Sequence, residues 1–411
     1  MDLLLKKTKN ELDVNEITIS GSKSESNRLL ILQKLYPEIT IENLSDSDDT
    51  VHLKHALTTN DKIVDIGHAG TAMRFLTAYF ARTEGVVKTL QGSERMHNRP
   101  IEILVNALRS LGAEISYIEK EGYPPLAIKG KEITKKSVVI NGNVSSQYIS
   151  ALLLIAASLP EGLIITLEGE ITSVPYIKMT LSLLEQAGIS TIFTNNVIEV
   201  KPQKEISNQV MTVEADWSSA SYWFSFIALS EVGAKVTLSA YKEESLQGDS
   251  CLVAIYEKLG VTTKFEKNTI TLTKNNAVDT SLELNIDLKN APDIAQTIAV
   301  TCFGLGIACN LTGLHTLKIK ETDRLEALKE ELTKLGATIT VTDESLHLKP
   351  STEIKENIAI ATYNDHRMAM AFAPLALKVP IKILDAKVVT KSYRSFWDHF
   401  QKVGIQQTIV K

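Results

Sequence analysis

Two sequence markers recur together along most of the chain. The first is a small or polar turn that opens an apolar run, and it begins at Gly21, Gly67, Gly142, Asp216, Asn290 and Asn364. The second is a glycine between a helix-like run and a β-branched segment, found at Gly112, Gly188, Gly260, Gly336 and Gly404. From residue 67 onward the first marker returns about every 74 residues, and the second follows it by about 40 to 46. Such a period indicates internal structural repeats.

The sequence of each repeat predicts a βαβαββ unit. The turn is typical of a helix N-terminus, and the glycine is typical of a helix that ends in a left-handed residue before a strand. In the first repeat Asn60 stands in place of this glycine, and Asn tolerates the same backbone. Six starts predict six repeats. The first and the last are short, and strands from residues 1–20 could complete the last.

Six repeats predict an α/β protein of two domains with three repeats in each. The chain should cross between the domains near residues 20–22 and 213–216, so the first domain is 21–213 and the second is 1–20 plus 214–411. Helices repeated in register begin at the same face of a domain. Their dipoles should then add at a cleft between the domains, which favours a multiply anionic ligand.

Composition narrows the class of protein. The 411 residues carry a formal net charge of -5, so no overall basic character indicates nucleic-acid binding. No apolar run approaches the roughly 20 residues of a membrane span, and we expect no membrane association. Cys251, Cys302 and Cys309 have neither metal-ligand spacing nor an obvious disulfide pattern. Reduced thiols and a cytoplasmic protein are therefore expected.

The first repeat start carries groups suited to an anion. From Gly21 to Arg28 a strand-like segment turns into a helix, and the turn leaves backbone N–H groups free at the helix start. Lys23 and Arg28 add full positive charges beside those groups. A phosphate or carboxylate ligand would fit this arrangement, and so would a capped surface helix with solvated charges.

A second charged cluster runs from Lys320 to Arg324, just before an amphipathic helical run. Glu321 lies between these two cations and is a candidate acid or base. An ordinary capped helix with surface ion pairs would have the same composition. Three further stretches combine cations, hydroxyls or a titratable His at helix starts, namely residues 92–100, 144–147 and 363–370.

Together these motifs resemble a known family. Gly-Ser-Lys-Ser, Gly-Thr-Ala-Met-Arg, Arg-Met followed by Arg-Pro-Ile, Val-Ser-Ser-Gln, Lys-Glu-Thr-Asp-Arg and Asn-Asp-His-Arg-Met-Ala-Met occur here in the order of the EPSP (5-enolpyruvylshikimate-3-phosphate) synthase family. The resemblance covers nearly the whole chain. It implies two inside-out α/β barrel domains, each of three repeats, with the active site in the interdomain cleft.

The resemblance also implies a reaction. The enolpyruvyl group of phosphoenolpyruvate (PEP) would be transferred to the 5-hydroxyl of shikimate 3-phosphate through a tetrahedral intermediate, with release of phosphate. This step belongs to the shikimate pathway of aromatic amino-acid biosynthesis and uses no metal or organic cofactor. In this family the herbicide glyphosate occupies the PEP site. The expected partners are the two substrates alone, and the expected state is a monomer.

The motifs of the family assign site residues to this chain. Shikimate 3-phosphate is expected at Lys23, Ser24, Arg28, Ser145, Ser146, Gln147, Ser173, Asp293, Thr316 and Lys320. PEP is expected at Lys23, Gly70, Arg95, Gln147, Arg324, Arg367 and Lys391. Asp293 is expected to remove the proton of the 5-hydroxyl and Glu321 to protonate C3 of PEP, with Lys23 as a further catalytic candidate.

The chain departs from the family pattern near several of these positions. His68 replaces a frequent Asn, Phe75 a frequent Pro, Thr316 an Asn, Val174 a frequent Lys, Val388 and Val389 a frequent Gly-Cys pair, and Trp217 interrupts a turn of small residues. None of these changes removes a charged contact to PEP. They bear instead on the affinities of the ligands.

Two alternatives remain open. The related UDP-N-acetylglucosamine enolpyruvyl transferases have a reactive Cys on a loop, whereas the three cysteines here lie in or next to apolar helical runs. That placement predicts buried structural thiols. A non-catalytic protein that closes on an anionic metabolite would keep the cations, but it would not need Asp293 or Glu321 to be ionisable.

Overall fold

The computed structural model describes residues 1–8 and 16–410, which form a mixed α/β fold. The strands are β1 (Asp2–Lys7), β2 (Glu16–Thr18), β3 (Ile39–Glu42), β4 (Ile63–Asp65), β5 (Val87–Gln91), β6 (Glu114–Tyr117), β7 (Leu126–Lys129), β8 (Ser137–Asn141), β9 (Leu163–Glu168), β10 (Thr191–Thr194), β11 (Val197–Val200), β12 (Gln209–Thr212), β13 (Lys235–Ser239), β14 (Val261–Glu266), β15 (Thr269–Lys274), β16 (Glu283–Asp287), β17 (Ala308–Thr312), β18 (Ile339–Val341), β19 (Leu346–Leu348), β20 (Ala359–Ile360), β21 (Ile381–Ile383) and β22 (Ile405–Val410).

The helices are α1 (Lys23–Leu35), α2 (Asp48–Thr58), α3 (Gly70–Arg82), α4 (Glu94–His97), α5 (Glu102–Leu111), α6 (Ser146–Ala156), α7 (Val174–Gln186), α8 (Trp217–Leu229), α9 (Leu252–Glu257), α10 (Ala295–Leu305), α11 (Arg324–Lys334), α12 (His366–Phe372) and α13 (Phe396–Lys402). Short 3-10 helices cover Gly248–Cys251, Pro292–Ile294, His315–Ile319, Ala373–Leu377 and Ala386–Lys391. The expectation of an α/β protein is confirmed. None of the described helices combines the length and the apolar character needed to cross a membrane.

The chain divides into two compact units. One consists of Met1–Ser20 together with Glu214–Lys411, and we call it the split unit. The other is the uninterrupted stretch Gly21–Val213, which we call the continuous unit. Each unit is described by itself below.

One sheet topology recurs in both units. Within residues 1–8 and 16–410, four strands pair in the orders β4-β5-β7-β6, β8-β9-β11-β10, β2-β13-β15-β14, β16-β17-β19-β18 and β20-β21-β1-β22. In each order the first pair is parallel and the other two pairs are antiparallel. The parallel pair β3 and β12 forms a smaller sheet in the continuous unit. A helix joins most of the parallel pairs, as a parallel crossover requires.

Strands from the beginning of the chain complete two sheets of the split unit. β1 lies between β21 and β22, with Leu3 opposite both Ile383 and Ile409. β2 runs parallel to β13, with Ile17 opposite Leu238. Strands from residues 1–20 therefore complete the last repeat, as the sequence indicated.

The predicted helix starts and ends are found in the structure. α1, α3, α6, α8, α10 and α12 begin within a few residues of the six turns. The five marker glycines all have left-handed backbones, with φ between 76° and 109°. The prediction for Asn60 is wrong, because the backbone leaves α2 extended at Thr59 (φ −72°, ψ 143°) and Asn60 is not left-handed. No hairpin follows α2, so the chain has no sharp reversal to make there.

Three helices form the centre of each unit. In the continuous unit α1, α3 and α6 pack against one another, and in the split unit α8, α10 and α12 do so. Every residue of α8 except Ser218 is buried. The sheets cover these helices with one face and expose the other, as the alternating burial along β8 illustrates. Trp217 fits this packing, since its buried indole N–H donates to Glu214 Oε1 at 2.8 Å.

Candidate active site

The buried guanidinium of Arg324 holds three carboxylates together at the start of α11. Its Nε donates to Asp365 Oδ2 at 2.7 Å. Its Nη1 and Nη2 donate to Asp293 Oδ1 and Glu321 Oε2, both at 2.8 Å. Burial lowers the pKa of Arg324, but the three carboxylates outweigh that effect and raise the pKa above its ordinary value. Arg324 is thus a permanent cation that fixes the position of each acid.

Asp293 lies in the 3-10 helix that leads into α10, and cations surround it. Its Oδ1 is 3.3 Å from Lys320 Nζ, and its Oδ2 is 3.4 Å from Arg367 Nη2. Burial raises the pKa of Asp293, but Lys320, Arg367 and Arg324 together hold it well below the ordinary value. The carboxylate is therefore ionised at neutral pH, which is the form that can accept a proton.

The start of α12 brings two more of the predicted cations to this cluster. Asp365 caps the helix, and its Oδ1 accepts the backbone N–H of Arg367 at 2.9 Å. Lys391 donates from Nζ to the carbonyl oxygen of Asn364, so its ammonium lies beside the same helix start. Helix N-termini and two cations at one place form a site suited to an anionic ligand.

A second buried carboxylate lies behind Arg367. Asp249 Oδ2 accepts the hydroxyl hydrogen of Ser218, and Ser218 Oγ is 3.2 Å from Arg367 Nη2. Burial raises the pKa of Asp249 to about 6, and the nearby charge of Arg367 partly opposes that rise. Neither Ser218 nor Asp249 was predicted from the sequence, since they lie 31 residues apart in no shared motif.

Thr316 lies in the 3-10 helix His315–Ile319 and is half-buried. Its hydroxyl is shielded from solvent and has no hydrogen-bond partner among the described residues. A buried hydroxyl without a partner is costly, and a ligand hydroxyl could satisfy it. This is the position where the family pattern has an Asn.

In the continuous unit most of the predicted residues lie at the starts of α1, α3, α6 and α7. Lys23 Nζ is 3.3 Å from Asp49 Oδ2. Ser145 caps α6, and the side-chain amide of Gln147 donates to Thr71 Oγ1 at 3.2 Å. Thr71 follows Gly70, so the starts of α3 and α6 meet. Ser146 follows Ser145 at the first position of α6, and Ser173 precedes α7 with a left-handed backbone (φ 53°).

Arg28 is buried within the continuous unit. Its guanidinium donates to Thr180 Oγ1 at 2.7 Å, to Ser150 Oγ at 3.0 Å and to the carbonyl oxygen of Ser24 at 2.8 Å. Burial lowers its pKa to about 10, so it stays charged at neutral pH. Tyr176, at the start of α7, was missed by the sequence analysis. Its carbonyl accepts from Arg28, and its ring centroid is 5.9 Å from the guanidinium carbon.

A different arginine from the predicted one lies against Gly70. A methyl group built on Gly70 would be 2.4 Å from Arg99 Nη1, so this guanidinium covers the glycine. Arg95 has an exposed side chain on α4, and its assignment to PEP stays a prediction. Arg99 belongs to the same motif as Arg95 and immediately precedes Pro100. Its place next to this proline is the sequence signal that could have identified Arg99 as a site residue.

Two side chains fix the segment that carries Arg99. Arg74 Nη2 donates to the carbonyl oxygen of Pro100 at 2.9 Å, and Arg74 Nη1 donates to that of Gly70 at 3.2 Å. Tyr148 adds a hydroxyl bond of 2.6 Å to the same oxygen of Pro100. Burial lowers the pKa of Arg74 to about 10, and the charge of Arg99 contributes to that shift. Two cations thus lie beside Gly70.

Some sequence departures have a clear structural setting. His68 is exposed, and its Nδ1 is 2.8 Å from Ser93 Oγ. Phe75 is buried with its ring centroid 5.5 Å from the guanidinium carbon of Arg28.

Cys302 and Cys309 are buried thiols, but Cys251 is exposed, which corrects the expectation of three buried thiols. It is exposed because it ends the 3-10 helix Gly248–Cys251, ahead of the packed residues of α9.

No group of three or more His, Cys, Asp or Glu side chains in the described part of the chain is arranged to hold a metal ion. The acids of the Arg324 cluster are instead paired with Lys and Arg.

Comparison with known proteins points in one direction. The sequence model of the family described as EPSP synthase (3-phosphoshikimate 1-carboxyvinyltransferase) matches residues 53–400. A 3-phosphoshikimate 1-carboxyvinyltransferase of Bacteroides fragilis is 47% identical over 394 residues, covering 94% of this chain and 95% of that protein. Another, from Haemophilus influenzae, is 36% identical over an alignment of 426 residues, covering 95% and 96%.

Solved structures share the fold. The EPSP synthase of Acinetobacter baumannii superposes on this chain with a TM-score of 0.80 at 19% identity, over the whole of both chains. The enolpyruvyl transferase NikO of Streptomyces tendae gives a TM-score of 0.74 at 14% identity, covering 100% of this chain and 99% of that one.

The raised pKa of Asp249 predicts a pH-dependent stability. Between pH 4 and 6 the folded protein keeps a proton on Asp249 that the unfolded chain, with a pKa near 3.8, has released. Stability contributed by this proton is therefore lost as the pH rises from about 4 to 6. The Asp249→Asn variant cannot titrate there. Its free energy of unfolding relative to the wild type should shift in its favour by about 2 kcal/mol between pH 4 and 7.

Urea unfolding of both proteins across this pH range measures that difference. A difference that stays constant from pH 4 to 7 would contradict the placement of Asp249 as a carboxyl with a raised pKa.

Proposed function

This chain belongs to the EPSP synthase family, and we propose that it transfers the enolpyruvyl group of PEP to the 5-hydroxyl of shikimate 3-phosphate. The products are 5-enolpyruvylshikimate 3-phosphate and inorganic phosphate. The observation that carries the proposal is the cluster around Arg324, in which an ionised Asp293 and a second acid, Glu321, are held among cations. A transferase that adds to and then eliminates from PEP needs an acid and a base beside an anion site.

The proposed chemistry has two stages. The 5-hydroxyl oxygen attacks C2 of PEP while Asp293 takes up the hydroxyl proton, and C3 receives a proton from Glu321 in its protonated form. The tetrahedral intermediate then loses phosphate from C2, and the leaving phosphate takes up the proton held by Asp293. The Glu321 carboxylate takes a proton back from C3, which restores the double bond. Lys23 is a further candidate for proton transfer, because its ammonium lies at the start of α1 beside Asp49.

Cations of both units are proposed to bind the PEP anion. In the split unit these are Arg324, Arg367 and Lys391, which lie together at the starts of α11 and α12. In the continuous unit we propose Lys23 and Arg99, with Gln147 and the open backbone at Gly70. Arg99 takes the place assigned to Arg95, because its guanidinium lies against Gly70.

Hydroxyl groups and further cations are proposed to bind shikimate 3-phosphate. Ser24, Ser145, Ser146, Gln147 and Ser173 lie at helix starts of the continuous unit, where backbone N–H groups favour a phosphate. Asp293, Lys320 and Thr316 are the proposed contacts in the split unit. Arg28 is proposed to fix the backbone of this site. Its guanidinium donates to the carbonyl oxygen of Ser24 and lies over the ring of Tyr176.

The finer architecture is part of the same proposal. Residues 21–213 and 1–20 plus 214–411 would be the two domains, each an inside-out α/β barrel of three repeats that supplies one set of ligands. The recurring strand order and the three central helices of each unit support this arrangement. We propose a monomer as the working state.

A phosphate-release assay tests the function. Phosphate should appear only when PEP and shikimate 3-phosphate are both present. UDP-N-acetylglucosamine in place of shikimate 3-phosphate should give background release. Binding of either substrate with no phosphate release from the pair would identify a non-catalytic anion-binding protein and refute the proposal.

Substitution of the two acids should separate catalysis from binding. Asp293→Asn and Glu321→Gln should each lower kcat by about two to four decades, the usual contribution of a general acid or base. Binding of shikimate 3-phosphate, measured by calorimetry, should persist. In deuterated solvent, Glu321→Gln should lose incorporation at C3 of PEP along with turnover, whereas rapid C3 exchange would transfer the donor role to another group such as Lys23.

Arg99 and Arg95 provide a matched pair of arginines. Arg99→Ala should raise KM for PEP by about tenfold or more, because a hydrogen bond to a charged group contributes roughly 1.5–3 kcal/mol. Arg95→Ala should change that KM less than about twofold, because Arg99 and not Arg95 lies against Gly70. The reverse result, a large effect of Arg95→Ala and none of Arg99→Ala, would restore the assignment made from the motif.

A further inference from the structure

Arg367 has a second anchor besides the proposed catalytic acid Asp293. Its Nη2 is 3.4 Å from Asp293 Oδ2 and 3.2 Å from Ser218 Oγ. Ser218 in turn donates its hydroxyl hydrogen to Asp249. We propose that Ser218 and Asp249 are positioning residues that hold the guanidinium of Arg367 in place for PEP. This inference rests on the proposed function.

The direction of the hydrogen bonds follows from the chemistry of the three groups. A guanidinium can only donate, and an ionised carboxylate can only accept. Ser218 has one hydroxyl hydrogen, which goes to Asp249, so its lone pairs face Arg367. Two consecutive hydrogen bonds therefore link Arg367 to Ser218 and Ser218 to Asp249. Each bond strengthens the other, because a charged group stands at both ends of the series.

The neighbouring residues hold this anchor rigidly. Gln247 accepts the backbone N–H of Trp217 at 2.9 Å and donates to the carbonyl oxygen of Ala215 at 2.8 Å. It thereby ties the segment that carries Asp249 to the first turn of α8, where Ser218 lies. Asp216 caps the same turn and accepts the backbone N–H of Ser218 at 2.8 Å. These bonds fix the backbone of Ser218 relative to the segment that carries Asp249.

The environment of Asp249 argues against a purely structural role. Its side chain is buried, and Oδ1 has no hydrogen-bond partner among residues 1–8 and 16–410. A buried carboxylate with an unsatisfied oxygen destabilises the fold, and a hydrophobic residue would avoid that cost. The raised pKa of Asp249 has the same origin, because burial disfavours the ionised carboxylate. Such groups concentrate at functional sites.

The proposed chemistry explains why a separate anchor is useful. Asp293 changes charge during turnover, because it takes up the proton of the substrate hydroxyl. Its attraction for Arg367 must weaken at that moment. Ser218 and Asp249 take no part in proton transfer, so they keep Arg367 directed toward PEP throughout the reaction.

Four variants test the inference. Ser218→Ala removes the hydroxyl that joins Arg367 to Asp249, and Asp249→Ala removes the carboxylate that accepts from it. Ser218→Thr keeps a hydroxyl and is the conservative rescue. Ser225→Ala is the matched control, because Ser225 is a buried hydroxyl on α8 that accepts from Thr301 instead. Steady-state kinetics with each substrate varied, together with thermal unfolding, are measured for each variant.

Ser218→Ala and Asp249→Ala should each raise KM for PEP about tenfold, the effect of weakening one hydrogen bond to a charged group. KM for shikimate 3-phosphate should stay within about twofold, and Ser218→Thr should recover most of the PEP affinity. Ser225→Ala should behave as the wild type.

If the wild type releases phosphate, either of two results would overturn the inference. One is an unchanged KM for PEP in both Ser218→Ala and Asp249→Ala. The other is an equal rise of KM for both substrates, which would indicate a general structural defect. If Asp249→Ala does not fold, Ser218→Ala and its Thr rescue decide the question. A wild type that releases no phosphate would refute the proposed function instead.

Discussion

The contact of Arg324 with three carboxylates joins the starts of three helices in the split unit. Asp365 begins α12, Asp293 leads into α10, and Glu321 precedes α11, so one guanidinium ties three elements together. A buried cation with its partners in place is tolerated, whereas loss of one partner leaves an uncompensated charge and costs several kcal/mol. The same contact holds the two proposed catalytic acids, Asp293 and Glu321, beside one guanidinium. Structure and chemistry at this site therefore depend on the same hydrogen bonds.

The sequence predicts some features of this protein well because they depend on local chemistry. A left-handed residue after a helix demands little beyond a glycine, and Gly112 and Gly336 take that conformation. Asn60 shows the limit, since a residue that tolerates the left-handed backbone does not require it. Motifs also bring Asp293, Glu321 and Arg324 into one cluster, although their roles remain predictions. Distant contacts such as Ser218 with Asp249 leave no local signal, because tertiary packing alone joins them.

The repeats are visible in the contacts between helices as well as in the sequence. Ser221 meets Thr297 and Ser225 meets Thr301, and each pair is separated by 76 residues. Gln147 and Thr71 have the same separation in the continuous unit. A helix of one repeat thus packs on the matching helix of the next at equivalent positions. The repeat does not predict whether Arg95 or Arg99 reaches Gly70. Arg95 lies on α4, which ends at His97, whereas Arg99 follows that helix. The guanidinium of Arg99 is the one that lies against Gly70, and only the folded structure shows this.

The position of β1 between β21 and β22 has a consequence for the order in which the protein can form. β1 is synthesised well before both of its neighbours in the sheet, β21 and β22, and its Asp2 pairs with Val410. The continuous unit needs only residues 21–213, and so it can fold while synthesis continues. The split unit cannot complete this sheet until β22 has been synthesised, and until then β1 lacks both of its neighbouring strands.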